Sequence, residues 1–150
     1  PEEAFSRLIN AGVYVIEPVA LAMVPPGTKY DFSRDLFPAM LEAGLPIGGV
    51  MLEGLWFDIG EPHHLLDAQA ALLGGSEAYL HPGASVDASA TVRASLLMDG
   101  ARVHAGASVD FSILGANSVV EEGAVLERCV LGDGAQAYKN EHLVDVRRAA

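Results

Sequence analysis

The second half of the chain mixes small, polar and aliphatic residues with a period that neither a helix nor a hairpin uses. Set in rows of seventeen from Ala84, it reads ASVDASATVRASLLMDG, ARVHAGASVDFSILGAN and SVVEEGAVLERCVLGDG. Val86 stands over Val103 and Val120, Val92 over Val109 and Leu126, and Leu97 over Leu114 and Leu131, nine aliphatic positions in register. Small residues fill other columns, among them Ala90, Ala107 and Ala124, or Ser95, Ser112 and Cys129. Each row divides into six, six and five residues, so an aliphatic residue returns at nearly every sixth place. A helix needs apolar spacings of three and four, and a hairpin sheet needs turns at wider intervals. Sixfold spacing predicts a triangular parallel β-helix over residues 84–137, with branched side chains stacked inward and Ala, Ser and Gly at the tight corners. With coils ~4.8 Å apart, three coils make a prism about 15 Å tall. His104 follows the inward Val103 and is therefore expected outside, whereas Cys129 is expected as a buried small residue. Open ends of such a prism need covering. Residues 138–150, with Lys139, Arg147 and Arg148 among acids, are set apart as a tail that either caps one end or extends away.

The first half has a different texture. Residues 8–16 centre on Val13-Tyr14-Val15-Ile16 and predict a buried strand. Pro18 opens a short apolar helix that ends by Pro25-Pro26-Gly27. Residues 32–43 place Leu36, Phe37, Met40 and Leu41 on one side, a helical pattern that Pro38 divides or kinks. Residues 47–52 and 55–59 read as strands around Glu53-Gly54. Residues 62–73 form a helix with Pro62 near its start and Gly74-Gly75 beyond its end. Three strands among these helices suggest an α/β layer too small to close a core with helices on both faces. The domain reading is 1–76 for this part, 77–137 for the β-helix and 138–150 for the tail.

Composition narrows the function classes. The chain is 51% apolar and 19% charged, which describes a foldable chain of 150 residues. Its net charge of −11 opposes a nucleic-acid surface or an anionic membrane. Residues 1–83 hold eleven acids against three bases, and residues 84–150 nine against six. The longest run without charge is eleven residues, short of the ~20 that a membrane span requires. The opening Pro-Glu-Glu lacks a basic leader region, so no secretory signal is expected. A single Cys129 excludes an internal disulfide framework and makes a reducing cytoplasm the expected compartment.

Several residues are open to two readings. Asp58, in Trp56-Phe57-Asp58-Ile59-Gly60, ends a predicted strand, where α/β enzymes place ligand groups; it equally suits a cap for the helix near Pro62. Asn10 precedes the small pair Ala11-Gly12, so its amide faces a ligand or caps a turn. Glu53 faces a pocket or solvent. His63 and His64 are adjacent, so on a helix they point apart, cannot form an i, i+4 metal pair, and are expected exposed. Asp31, Asp35 and Asp110 read as solvated or capping acids. His104 on the β-helix is a candidate general base for an acyltransferase, a reading opposed by the lack of any long loop to build an acceptor pocket.

The segments NAGVYVIEP, YDFSRDLFPAMLEAG and GLWFDIGEPHHLLDAQAALL, in this order and spacing, resemble the second half of a sugar-1-phosphate nucleotidyltransferase (NDP-sugar pyrophosphorylase). The mannose-1-phosphate guanylyltransferase and glucose-1-phosphate thymidylyltransferase types fit best. Many members continue into a left-handed hexapeptide β-helix, as this chain does, so the resemblance covers about residues 1–137. It implies an α/β fragment, the second half of a Rossmann-like domain, followed by a left-handed parallel β-helix. Pro1 matches the proline of the family's Glu-Lys-Pro motif, so the Gly-rich nucleotide loop and the first metal-binding Asp are expected in an N-terminal half outside this sequence. Residues 1–150 alone are then expected to be inactive.

The resemblance assigns Asp58 a catalytic role as a ligand of Mg²⁺, and places Asn10 and Gly12 against the sugar, with Glu53 facing the same pocket. Glu61 stands where the family commonly has Thr, which sets apart any phosphate contact there. The implied reaction transfers a nucleotidyl group from an NTP to a sugar 1-phosphate, most closely as a mannose-1-phosphate guanylyltransferase. Glucose-1-phosphate thymidylyl-, uridylyl- or adenylyltransferase and a non-catalytic regulatory or assembly subunit are the alternatives. The β-helix is expected to mediate homo-oligomer formation, with no nucleic-acid or membrane partner.

Overall fold

The computed structural model describes residues 8–75 and 77–150. By compactness the chain divides into two units, Pro1–Trp56 and Phe57–Ala150.

In the first unit, Pro18 at the first turn starts α1 (Pro18–Leu21), since its missing N–H is one that a helix leaves unpaired there. A π-helical turn, Phe32–Leu36, runs directly into α2 (Phe37–Glu42), with Pro38 in the first turn of the second piece. Asp31 caps the π-helical turn: its Oδ1 accepts from the amides of Ser33 at 2.8 Å and Arg34 at 2.9 Å. Asp35 returns the bond, its Oδ2 accepting from the Asp31 amide at 2.8 Å. Tyr14, Phe32 and Phe37 form an aromatic triangle with centroids 5.1 to 6.3 Å apart. Ala20 and Leu36 are the buried apolar residues of this unit among those described.

The three segments read as strands, 8–16, 47–52 and 55–59, form no strand among the described residues. A strand exists only through its ladder, and these segments do not pair with one another. Their branched side chains are consequently exposed, Val15 and Val50 almost completely.

In the second unit, α3 (Pro62–Leu72) begins with Pro62 and ends before Gly74 and Gly75, both of which take positive φ. The amide of Gln69, buried, donates through Nε2 to the Ala94 carbonyl at 2.8 Å and so docks α3 on the coil that follows. This helix, grouped by sequence with the N-terminal part, therefore lies within the second unit. His63 and His64 are half-buried rather than exposed, and their rings meet at 4.0 Å, with His63 also 3.2 Å from Glu61.

The rest is a parallel β-helix. The first coil carries β1 (Tyr79–Leu80), β2 (Ser85–Val86) and β3 (Thr91–Arg93); the second carries β4 (Leu96–Leu97), β5 (Arg102–Val103) and β6 (Ser108–Asp110). The third carries β7 (Ile113–Leu114), β8 (Val119–Val120) and β9 (Val125–Glu127). A fourth carries β10 (Val130–Leu131), β11 (Gln136–Ala137) and β12 (His142–Val144), and β13 (Arg147–Arg148) starts the next pass. Strands β1-β4-β7-β10-β13, β2-β5-β8-β11 and β3-β6-β9-β12 form the three faces, all parallel. Every pairing carries the seventeen-residue offset, from Tyr79 against Leu96 to Leu131 against Arg148. The segment set apart as a tail over residues 138–150 thus belongs to the coil.

The columns explain the shape. Val103, Val109, Leu97 and their equivalents in the third coil are inward and essentially inaccessible. Each corner needs one residue in the left-handed region. One corner uses Ala94, Phe111, Arg128 and Asp145, another Gly100, Asn117 and Gly134, and the third Gly106, Gly123 and Asn140. Side chains other than Gly and Asn seldom adopt it. All three corners are tied to the coil below by backbone hydrogen bonds: the amides of Phe111, Arg128 and Asp145 donate to the Arg93, Asp110 and Glu127 carbonyls at 3.0 to 3.1 Å, and those of Gly134 and Gly123 to the Ala116 and Ala105 carbonyls at 2.8 and 3.0 Å. At Gly115 the backbone of the next coil itself stands in the way, since a Cβ there would meet the Gly132 carbonyl carbon at 2.6 Å. Among the described residues, no helix is long and apolar enough to cross a membrane.

Candidate active site

In the first unit the segment Asn10-Ala11-Gly12 is the most constrained polar feature. Asn10 Oδ1 accepts from the Gly12 amide at 2.8 Å, closing a local turn that Gly12 permits with φ +74. Asn10 Nδ2 donates to the Tyr14 hydroxyl at 2.7 Å and, more weakly, to Ser33 Oγ at 3.4 Å. The Trp56 indole N–H donates to the Ala11 carbonyl at 3.1 Å, from forty-five residues away. Asn10 is exposed, and nothing lies within 4 Å of a Cβ built on Gly12, so the turn is open to a ligand. Asn10 thus caps its turn, and the same turn remains free to bind.

Tyr14, Ser33 and Trp56 were not singled out by sequence. Tyr14 lies four residues after Asn10, close enough for local spacing to have suggested it. Trp56 gives no such signal, because its contact is long-range.

Glu53 is exposed and makes no hydrogen bond or ion pair among the described residues. Asp58, which belongs to the second unit, is likewise exposed and without a polar partner among them. Its alternative role is not realised: the N-cap of α3 is Glu61, and no side chain caps that helix. A solvated, uncommitted carboxylate two residues before Gly60 breaks no hydrogen bond among the described residues when it turns toward a ligand. No group of three or more His, Cys, Asp and Glu able to hold a metal ion occurs among the described residues. Hard cations take six or more oxygen ligands, so these residues do not form a divalent-ion site by themselves; Asp58 offers one ligand.

On the β-helix, His104 is exposed, as alternation requires, in a shallow depression with Arg102, Glu121, Glu122 and Lys139. Glu122 is already paired with Lys139 at 3.0 Å. Nearby, Ser89 donates its hydroxyl at 2.7 Å and its amide at 2.9 Å to Asp87 Oδ1, holding that carboxyl below its ordinary range. The seventeen-residue register is unbroken through the coils, so no inserted loop walls off an acyl-acceptor pocket beside His104. Other acids are structural: Asp110 pairs with Arg93 at 3.1 Å and Asp145 with Arg128 at 3.1 Å, each linking neighbouring coils.

Two family models match the chain, meeting at residues 73–74 rather than at the boundary between the compact units. Residues 1–74 match the nucleotidyl transferase family model, and residues 73–143 match the model of the GlmU-like C-terminal hexapeptide. The UTP–glucose-1-phosphate uridylyltransferase of Synechocystis sp. is 43% identical over 60 residues, 40% of this chain and 16% of that protein. The mannose-1-phosphate guanylyltransferase catalytic subunit beta of Dictyostelium discoideum is 33% identical over 73 residues, 49% of this chain and 20% of that protein. The mannose-1-phosphate guanylyltransferase of Mycobacterium tuberculosis is 32% identical over 94 residues, 55% of this chain and 26% of that protein. The chain therefore spans between 16% and 26% of the length of these relatives.

Proposed function

We propose, for a chain that belongs to the nucleotidyl transferase family over residues 1–74 and continues as a GlmU-like hexapeptide coil over residues 73–143, that the full-length protein transfers a nucleotidyl group from an NTP to a sugar 1-phosphate. The observation that carries this reading is the succession of the two matches, end to end along one chain. A phosphate oxygen of the sugar 1-phosphate attacks the α-phosphorus, the new O–P bond forms, the bond to the β-phosphate oxygen breaks, and pyrophosphate leaves. Catalysis of this kind is mainly positioning and neutralisation of charge on the transferring phosphate. Within this chain, the Asn10-Ala11-Gly12 turn and Glu53 bind and orient the sugar, and Asp58 supplies one carboxylate toward Mg²⁺. When bound, that ion neutralises phosphate charge.

Mannose with guanine is the finer assignment. Relatives named as mannose-1-phosphate guanylyltransferases support it over 73 and 94 residues, whereas the uridylyltransferase is more identical over a shorter stretch. The β-helix serves self-association, a role that suits a coil whose depressions beside His104 are shallow and open. The cytoplasm is the proposed compartment, compatible with a single buried thiol.

The test is pyrophosphate release by the full-length protein, with GTP, UTP, dTTP and ATP each paired with mannose 1-phosphate and glucose 1-phosphate. Release that is at least about tenfold faster with GTP and mannose 1-phosphate than with any other pair supports the full assignment. Preference for another pair corrects the substrate, and a folded protein that releases no pyrophosphate with any pair refutes the activity.

A further inference from the structure

We infer that Trp56 is a positioning residue for the sugar 1-phosphate, acting through the peptide that joins Ala11 to Gly12. The inference rests on the nucleotidyl-transfer reading and deepens it.

That peptide is held at both edges. Its carbonyl, on Ala11, accepts from the Trp56 indole at 3.1 Å, and its N–H, on Gly12, donates to Asn10 Oδ1 at 2.8 Å. A peptide is a rigid plane, so two bonds on opposite edges fix its rotation about the chain. Without the indole bond, only the local turn remains, and Gly12 gives that turn wide conformational freedom. Rotation of the plane turns the Gly12 N–H away from Asn10 Oδ1, which loosens the Asn10 amide to its Nδ2 bonds with Tyr14 and Ser33 and shifts the oxygen that the turn presents to a sugar.

The indole is not simply core packing. Trp56 is 43% exposed, and it takes no part in the aromatic triangle of Tyr14, Phe32 and Phe37. Its one directional interaction among the described residues is the bond to Ala11. Trp56 also stands two residues before Asp58 in the chain.

The test replaces Trp56 in the full-length protein by Phe, and separately by 3-benzothienylalanine, which keeps the shape of the indole and lacks its N–H. Steady-state pyrophosphate release is measured against sugar 1-phosphate and against NTP, with thermal melting alongside. Both variants are expected to raise the KM for sugar 1-phosphate about three- to tenfold, the loss of one hydrogen bond's orienting effect, with the KM for NTP within twofold and melting unchanged. An unchanged sugar KM in the benzothienyl variant overturns the positioning role. So does an equal rise in both KM values accompanied by a fall in melting temperature, which marks a merely structural residue. Absence of turnover in the unaltered protein overturns the nucleotidyl-transfer reading, and the positioning role with it.

Discussion

Arg148 grips Glu141 with both terminal guanidinium nitrogens, Nη2 to Oε1 at 2.6 Å and Nη1 to Oε2 at 2.8 Å. Each residue stands where the preceding coil is apolar: Arg148 pairs with Leu131 in the inward column, and Glu141 follows Ala124 by one coil. Nη1 of Arg148 also reaches the Gln136 carbonyl at 2.6 Å, and the guanidinium lies 5.6 Å from the Tyr138 ring centroid. The leucine column thus passes into a bidentate ion pair in which each charge faces its opposite.

This pair makes stability depend on acid. The Arg148 guanidinium, and then the Tyr138 amide, hold the Glu141 carboxyl down to about 2 from an ordinary 4.5. The depressed carboxyl contributes stability that is fully present above its unfolded value and is lost as pH falls through the folded one, because the unfolded chain takes up the proton first. The gap in melting temperature between the protein and Glu141→Gln should therefore narrow as pH falls from about 4.5 to about 2, where the two curves meet. A gap that is constant across this window contradicts the assignment.

A second ladder runs up one corner of the prism. The Ser112 amide donates to Ser95 Oγ at 3.0 Å, and the Cys129 amide donates to Ser112 Oγ at 2.9 Å. Burial pushes the Cys129 thiol up, and the thiol donates to the Glu127 carbonyl at 3.2 Å and the Leu143 carbonyl at 3.4 Å. Ser112→Ala should destabilise the protein by about 1–3 kcal/mol, since it leaves a buried amide unpaired, whereas Cys129→Ser should cost less than about 1 kcal/mol. Chemical denaturation of both variants checks the order; equal losses would remove the ladder as a stabilising feature.

Packing inside the coils sets two further expectations. Val109 is fully buried in the second coil, so Val109→Asp should cost several kcal/mol, about enough to unfold the β-helix. Gly115→Ala should cost about 1–3 kcal/mol, because the atoms a Cβ would meet at 2.6 and 2.7 Å include the backbone of the next coil, which cannot swing aside. Far-ultraviolet circular dichroism and melting measure both. A cooperatively folded Val109→Asp protein of normal stability would be incompatible with an inward column.

His104 offers the opposite kind of expectation. It is exposed in a shallow depression on the coil, so His104→Ala should retain pyrophosphate-releasing activity in the full-length protein to within about tenfold. Complete loss in a folded variant would move the chemistry into the repeat.

The β-helix was legible because inward Val and Leu return at a fixed offset that the chain keeps without insertion. Legibility stopped beyond Ala137, where Glu141 in the fourth coil and Arg148 in the pass after it replace Ala and Leu, and only Leu143 continues an aliphatic column by which the earlier rows were aligned. The helix starts at Pro18 and Pro62 were readable from local chemistry, as was the turn at Asn10. The strands expected at residues 8–16, 47–52 and 55–59 were not realised, because side-chain alternation specifies a face while a strand also needs a ladder partner. The candidate site was legible as residue types, Asn10, Gly12, Glu53 and Asp58. The indole bond that holds the Ala11 carbonyl was not, being set by a contact between distant positions.

The central proposal is that Asp58 serves nucleotidyl transfer in the full-length protein as a charged carboxylate toward Mg²⁺. Exchange of Asp58 for Asn keeps the size of the side chain and removes only its charge, and Asp58 has no structural bond among the described residues to lose. The direct measurement is the rate of pyrophosphate release by the full-length Asp58→Asn protein at saturating NTP, sugar 1-phosphate and Mg²⁺, with its melting temperature as a control. A loss of at least about a hundredfold with unchanged melting is the predicted result. A near-normal rate would contradict it.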